Sequence, residues 1–85
     1  MKPVEIYTTP YCPYCLSAKR LLDKKGVAYT EIDVSRDMDL RHAMTKRAGG
    51  ARTVPQIFIG GQPVGGSDEL HALEHRGALD ALLAA

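Results

Sequence analysis

Apolar side chains follow two different periods near the start of the chain. Val4 to Thr8 is a short run rich in β-forming residues and predicts a strand. From Pro13 onward the apolar positions recur at helical spacing, and a lysine-rich turn leads to Gly26, a residue type that commonly follows a helix C-terminus. The apolar residues of this predicted helix are Cys15, Ala18, Leu21 and Leu22.

The middle of the chain predicts a second strand and a second helix. Val27 to Val34 predicts the strand, because apolar or β-branched residues recur at every second position from Ala28. Asp37 to Ala48 has helical spacing and is terminated by Gly49-Gly50. The side chains expected near one face of that helix are Leu40, Ala43, Met44 and Ala48.

A hairpin is predicted next. Val54 to Ile59 is expected to form one strand, Gly60-Gly61 a tight turn, and Gln62 to Val64 a short returning strand. The predicted order so far is therefore β-α-β-α-β-β.

The C-terminal part of the chain predicts helix. Ser67 is expected to be the N-cap of a helix that has acidic residues in its first turn and continues to His75. Gly77 breaks this helix, and Ala78 to Leu83 predicts a further short helical segment.

These elements predict an α/β fold with the order β-α-β-α-β-β-α. The first βαβ unit is expected to have parallel strands and a right-handed crossover. The hairpin then completes a four-stranded mixed sheet that is flanked by helices on both faces. Because the sequence has 85 residues, we expect one domain over residues 1–85.

Composition and charge argue against several classes of function. The net charge of +1 argues against nucleic acid as a partner, and no segment has the length and hydropathy of a membrane span. The N-terminal residues lack the apolar core of a signal peptide, so we expect a cytoplasmic protein. Structural disulfides are rare in that compartment.

The two cysteines lie at the predicted start of the first helix. Cys12 precedes Pro13, which suits the first helical position, and the helix N-terminus favours a thiolate there. Cys15 falls on the apolar side, where burial favours the neutral thiol. Because a Cys12–Cys15 bridge would close a very small loop, it would stabilise the fold little. A Cys-x-x-Cys pair beside a βαβ unit is instead typical of a thioredoxin-like redox site.

A zinc site and an inert cysteine pair are the alternatives. His71 and His75 have suitable mutual spacing for zinc, but 55 residues separate Cys15 from His71, far more than in a zinc finger. Redox chemistry is therefore the favoured prediction, and no metal is expected.

Three motifs together resemble a dithiol glutaredoxin of the bacterial glutaredoxin 3 type, a family with a thioredoxin-like fold. The resemblance implies a glutathione-dependent thiol–disulfide oxidoreductase that reduces protein disulfides and glutathione mixed disulfides. Glutathione would be its co-substrate and disulfide-bonded or glutathionylated proteins its clients, and we expect a monomer. The motifs are Cys12-Pro13-Tyr14-Cys15, Thr53-Val54-Pro55 and Gly65-Gly66-Ser67-Asp68.

The same resemblance implies roles for individual residues. Cys12 would be the nucleophile and Cys15 the resolving cysteine, and the bond before Pro55 would be cis. Ser67 and Asp68 would hold the γ-glutamyl end of glutathione, while Arg47 or Arg52 would hold its glycine carboxylate. The full set of implied glutathione-binding residues is Tyr14, Arg47, Arg52, Thr53, Val54, Pro55, Gly66, Ser67 and Asp68.

Two other functions stay open at this point. One is a redoxin reduced by thioredoxin reductase, and the other is an iron–sulfur cluster or metal-binding protein. The sequence also departs from the family pattern, since Thr9 stands where many members carry Lys or Arg and Tyr11 where a small residue is frequent. We therefore expect a less strongly stabilised Cys12 thiolate than in lysine-bearing relatives.

Overall fold

The computed structural model describes residues 1–84, and the predicted order of elements is confirmed, including the short helical segment expected near the end of the chain. The elements are β1 (Val4–Thr8), α1 (Pro13–Lys24), β2 (Thr30–Asp33), α2 (Met38–Arg47), β3 (Gln56–Ile59), β4 (Gln62–Gly65), α3 (Ser67–His75) and α4 (Leu79–Leu83). No helix within the described residues is long and apolar enough to cross a membrane.

The four strands form one mixed sheet in the order β2-β1-β3-β4. β1 pairs with β2 in parallel and with β3 antiparallel, and β3 and β4 form the antiparallel hairpin. Since β1 and β3 occupy the centre, both faces of these strands are covered. The predicted four-stranded mixed sheet, and with it the thioredoxin-like fold, is confirmed.

Helices cover the two faces of the sheet unequally. The larger core lies on the side of α1, α3 and α4, and the buried positions predicted for α1 are confirmed because Cys15, Ala18, Leu21 and Leu22 are all buried. The smaller core lies under α2 and is built from Tyr7, Val34, Met44 and Phe58. The helix that carries both cysteines, α1, is thus anchored by the larger core.

The apolar face predicted for α2 is confirmed for two of its four residues and wrong for the other two. Met44 is fully buried and Ala48 is partly buried, but Leu40 is 39% exposed and Ala43 is also exposed. The physical reason is that α2 contacts the sheet with its C-terminal half, where Met44 and Ala48 meet Tyr7 and Phe58.

Two predicted strands begin later than expected. β2 starts at Thr30, because the Val27 N–H donates to the Leu22 carbonyl at 3.0 Å and so continues the end of α1. β3 starts at Gln56, and the Gln56 side-chain amide donates to the Thr53 carbonyl at 2.9 Å. The segment before β3 is therefore a bend, and the Val54 carbonyl of this bend lies close to the Cys12 sulfur.

Candidate active site

Cys12 is the N-cap of α1, as its position before Pro13 predicted. Its backbone is extended, and the Cys15 N–H donates to the Cys12 sulfur at 3.1 Å. The preceding Tyr11 has a φ of 61° and is fully exposed, so the chain turns sharply just before the sulfur. The Cys12 side chain is half-buried, and one helix N–H is aimed at it where a thiolate would form.

Cys15 differs from Cys12 in its surroundings. It is 2% exposed and packs within α1's buried face. Burial raises the pKa of the Cys15 thiol to about 11, and the hydrogen bond with Cys12 contributes to the rise. Since the two cysteines are not bridged, the structure shows the dithiol state, with one accessible sulfur and one sheltered sulfur.

Seven of the nine predicted glutathione-binding residues line one groove beside Cys12. This groove, which we call the first groove, has a volume of about 260 Å³. The Val54–Pro55 bond is cis, as the resemblance implied, and the Val54 carbonyl oxygen lies 4.0 Å from the Cys12 sulfur. The residues that line the first groove are Tyr14, Thr53, Val54, Pro55, Gly66, Ser67, Asp68 and Glu69.

The N-terminus of α3 forms one wall of the first groove, but its cap was predicted wrongly. Gly66 is the N-cap, and Ser67 is the first helical residue, with its hydroxyl directed to the His71 ring nitrogen Nδ1 at 3.3 Å. Sequence reasoning also missed Glu69, whose carboxylate accepts the Gly66 N–H at 2.7 Å. Because glycine has no side-chain oxygen, only the Glu69 half of a capping box forms here.

The two predicted arginines lie apart from the first groove. Arg47 donates two hydrogen bonds to the Glu5 carboxylate at 3.0 and 3.1 Å and one to the Tyr7 hydroxyl at 2.9 Å. Its guanidinium also lies 4.1 Å from the centre of the Phe58 ring. Arg52 is exposed instead, and its carbonyl accepts a hydrogen bond from Arg41 at 3.0 Å. The geometry therefore favours a structural role for Arg47 and leaves Arg52 available to a ligand.

A second groove on the other side of Cys12 was not predicted from the sequence. Its volume is about 440 Å³, and it borders both cysteines. No local pattern could have indicated it, because the pairing of β1 with β2 brings its acidic wall next to α1. The other side chains and backbone that line this second groove belong to Thr8, Thr9, Pro10, Tyr11, Pro13, Leu16, Lys19, Glu31 and Asp33.

Within residues 1–84 no group of three or more His, Cys, Asp or Glu side chains is arranged to hold a metal ion. His71 Nδ1 lies 2.8 Å from the Ser67 carbonyl and is used inside its own helix.

The fold and the cysteine pair at a helix N-terminus define a thiol–disulfide oxidoreductase of the thioredoxin-like class. Comparison with known proteins makes this assignment narrower. The sequence model of the glutaredoxin family matches residues 4–64, so the chain belongs to the glutaredoxin family. It is 55% identical to a glutaredoxin of Pseudomonas aeruginosa over the full length of both chains. It is 52% identical to glutaredoxin 3 of Escherichia coli over 98% of this chain and 99% of that protein.

Solved structures agree with this family. A buckwheat glutaredoxin–glutathione complex superimposes with a TM-score of 0.87 at 33% identity, covering 96% of this chain and 76% of that one. A structure described as "Metal Binding of Glutaredoxins" has a TM-score of 0.74 at 55% identity, covering 98% of this chain and 89% of that one.

Proposed function

We propose that this protein uses glutathione to reduce protein disulfides and glutathione mixed disulfides through Cys12 and Cys15. The observation that carries the proposal is that the Cys12 sulfur, which receives the Cys15 N–H, lies 4.0 Å from the Val54 carbonyl of a groove. Seven of the nine residues that the family resemblance assigns to glutathione line this groove. The buckwheat relative, which was solved with glutathione, supports the same ligand here. We further propose that the protein acts as a monomer in the cytoplasm.

Glutathione would lie along the first groove with its sulfur at Cys12. The N–H groups at the start of α3 would receive the γ-glutamyl carboxylate, because a helix N-terminus favours an anion. The exposed Asp68 carboxylate would pair with the neighbouring ammonium group. The Val54 backbone would contact the cysteinyl part and Arg52 the glycine carboxylate, whereas Arg47 is left out because Glu5 already pairs with it.

Removal of glutathione from a client would need Cys12 and not Cys15. The Cys12 thiolate attacks the glutathione sulfur of the mixed disulfide, a Cys12–glutathione disulfide forms, and the client sulfur leaves as a thiolate. A second glutathione thiolate then attacks the bound glutathione sulfur, which releases glutathione disulfide and regenerates the Cys12 thiolate. Acceptance of the thiolate charge by the α1 N-terminus favours Cys12 as both attacking and leaving group.

Reduction of a protein disulfide would need both cysteines. The Cys12 thiolate first forms a mixed disulfide with the client, and Cys15 then displaces the client and closes a Cys12–Cys15 disulfide. Two glutathione molecules return this disulfide to the dithiol and leave as glutathione disulfide. Glutaredoxin potentials of about −200 to −230 mV lie near the cytosolic glutathione potential, so the direction would follow the cellular glutathione ratio.

The experiment compares Cys15→Ser with Cys12→Ser in reduction of a glutathione mixed disulfide, coupled to glutathione reductase and NADPH. We expect Cys15→Ser to keep most of the activity and Cys12→Ser to lose at least about 1,000-fold, because a serine hydroxyl is not ionised at neutral pH. Serine also caps helices well, so Cys12→Ser should fold, and circular dichroism would check the folding of both variants.

Two other results would contradict the proposal. A folded Cys15→Ser protein without activity, together with wild type that only thioredoxin reductase can reduce, would identify a redoxin. Visible absorbance of anaerobically purified protein, lost together with bound iron, would identify a cluster-binding protein, an alternative that the metal-binding relative makes worth testing.

A further inference from the structure

The ion pair of Lys19 and Glu31 lies on the wall of the second groove, which Cys15 also lines. Cys15 and Lys19 are one turn apart on α1, so their side chains lie on the same side of the helix. The Lys19 ammonium donates to the Glu31 carboxylate at 3.0 Å, and the same carboxylate oxygen accepts the Thr8 hydroxyl at 2.8 Å. Lys19 and Glu31 both line the groove that borders Cys15.

The sheet fixes this pair in place. Thr8 is 1% exposed at the end of β1, and Glu31 lies on β2 opposite Ile6, two residues before Thr8 in the parallel pairing. A buried hydroxyl thus holds the Glu31 carboxylate, and the carboxylate holds a lysine that would otherwise be free to extend into solvent. Among the ion pairs of the described residues, this is the pair that lines the groove bordered by both thiols.

We propose that Lys19, held by Glu31 and Thr8, is a positioning residue for the resolving step: its ammonium stabilises the Cys15 thiolate that attacks the mixed disulfide on Cys12. The inference rests on the proposed dithiol function and concerns the step that removal of glutathione does not use. In that step Cys15 first gives its proton to solvent. The Cys15–Cys12 sulfur bond then forms, the bond from Cys12 to the client breaks, and the client sulfur leaves with the electron pair.

The charges around Cys15 decide the sign of the expected effects. Burial and Cys12 raise the pKa of Cys15, whereas a backbone hydrogen bond with Thr9 and, to a smaller extent, the charge of Lys19 lower it. Facing Lys19 are Glu31, which raises the pKa of the lysine by its hydrogen bond, and Tyr29 on the approach to β2. The remaining charged side chain of the groove is Asp33, which accepts the Ser35 N–H at 2.8 Å.

Loss of the lysine and loss of the glutamate should therefore act in opposite directions. Lys19→Met removes the cation and leaves Glu31, so the pKa of Cys15 should rise by about 0.5 to 1 unit. Glu31→Gln leaves a cation that no anion offsets, so the pKa of Cys15 should fall. A purely structural ion pair predicts the same direction for both variants, because each breaks the same contact.

The rate of the resolving step should change less than the thiolate fraction. A thiolate of higher pKa is a stronger nucleophile, with a Brønsted coefficient of about 0.4–0.5, which offsets nearly half of the change. For Lys19→Met we expect protein-disulfide reduction to fall about two- to fourfold relative to removal of glutathione by the same variant. Glu31→Gln should leave this ratio unchanged or raise it.

The test titrates Cys15 directly, by the ¹³Cβ chemical shift of labelled cysteine in a Cys12→Ser background. The variants are Lys19→Met, Glu31→Gln, Lys19→Arg as the charge-conserving rescue, and Lys24→Met as the matched control, since Lys24 lies on α1 beside a different cavity. We expect the pKa of Cys15 to rise in Lys19→Met and to fall in Glu31→Gln. In Lys19→Arg it should stay near the wild-type value, and in Lys24→Met it should not change.

Equal midpoints in Lys19→Met and wild type, or shifts of the same sign in Lys19→Met and Glu31→Gln, would overturn the inference. If Lys19→Met does not fold, Glu31→Gln and Lys19→Arg decide the question, because a pKa that does not fall in Glu31→Gln contradicts the model of an offset cation. The titration needs no glutathione. Opposite shifts in a protein that glutathione cannot reduce would therefore retain this inference and reject the proposed function.

Discussion

Two helix N-termini meet at the site, and they accept negative charge in different ways. In α1 the Cys12 sulfur receives the Cys15 N–H, and Pro13 at the first helical position has no N–H to satisfy. In α3 the cap is Gly66, whose N–H is accepted by Glu69, and among the described residues the cap supplies no side chain to the N–H groups of the first turn. The α1 N-terminus therefore supports an anion that belongs to the protein, whereas the α3 N-terminus can receive one from a ligand.

The glycines explain how α3 keeps its N-terminus accessible. Gly65 has a φ of 113°, and a Cβ there would lie 2.8 Å from the Glu69 carboxylate, so a side chain would displace the residue that accepts the Gly66 N–H. At Gly66 a Cβ would approach the Pro55 carbonyl to 3.3 Å. The pair of glycines thus allows the cis-proline bend and the start of α3 to approach each other, and the first groove lies between them.

Removing charge at α3 is the strongest way to test this comparison. Asp68→Asn should lower kcat/KM for a glutathione mixed disulfide about tenfold, because the carboxylate would pair with the ammonium group of the bound glutathione. Steady-state reduction at varied mixed-disulfide concentration measures it. With a protein disulfide as the substrate and dithiothreitol as the reductant, so that no glutathione is present, the rate should not change. An equal loss with both substrates would show that Asp68 supports the fold or Cys12 and not glutathione.

Adding charge at α1 should have a smaller effect. Thr9 lines the second groove beside Cys12, so Thr9→Lys would place a cation near the thiolate. We expect alkylation of Cys12 by iodoacetamide at pH 6, measured in the Cys15→Ser background, to become about threefold faster, and the increase should shrink at high salt. Thr9→Gln is the matched control of similar length. An identical rate in both variants would show that the helix N-terminus already dominates the charge at Cys12.

Much of the fold could be predicted because its signals are local. The helical spacing of Ala18, Leu21 and Leu22 and the glycine turn of the hairpin each depend on a few neighbouring residues. α2 was harder because its few apolar residues fall near one face, and only the docking of the helix on the sheet decides that Met44 is buried and Leu40 is not. The start of β2 likewise depended on a hydrogen bond to α1 that spacing cannot indicate.

The candidate site divides in the same way. The cysteines and the first groove were predictable from motifs, whereas the second groove needed the register that places Glu31 beside Thr8 and Lys19. The two arginines show the limit most clearly, because the sequence offered both Arg47 and Arg52 for the glycine carboxylate, and the contact with Glu5 separates them. A long-range partner, 42 residues away in the sequence, determined the role of Arg47.

The Arg47–Glu5 pair should show the smallest effect, because it serves neither helix N-terminus. Its hydrogen bonds from Arg47 lower the pKa of Glu5. A lowered pKa means that the pair stabilises the fold above the ordinary glutamate pKa and that this contribution is lost as the pH falls through the folded value. Because both side chains are 33% exposed, we expect Arg47→Met to lower the free energy of unfolding by only about 0.5–1 kcal/mol at pH 7. Urea unfolding of both proteins at pH 7 and below pH 4 measures this difference, which should shrink in acid without reaching zero, since the Tyr7 hydrogen bond is also lost.

Arg52→Met should give the reverse pattern, with unchanged stability and a higher KM for glutathione. A raised KM in Arg47→Met at unchanged stability would instead return Arg47 to the glutathione site.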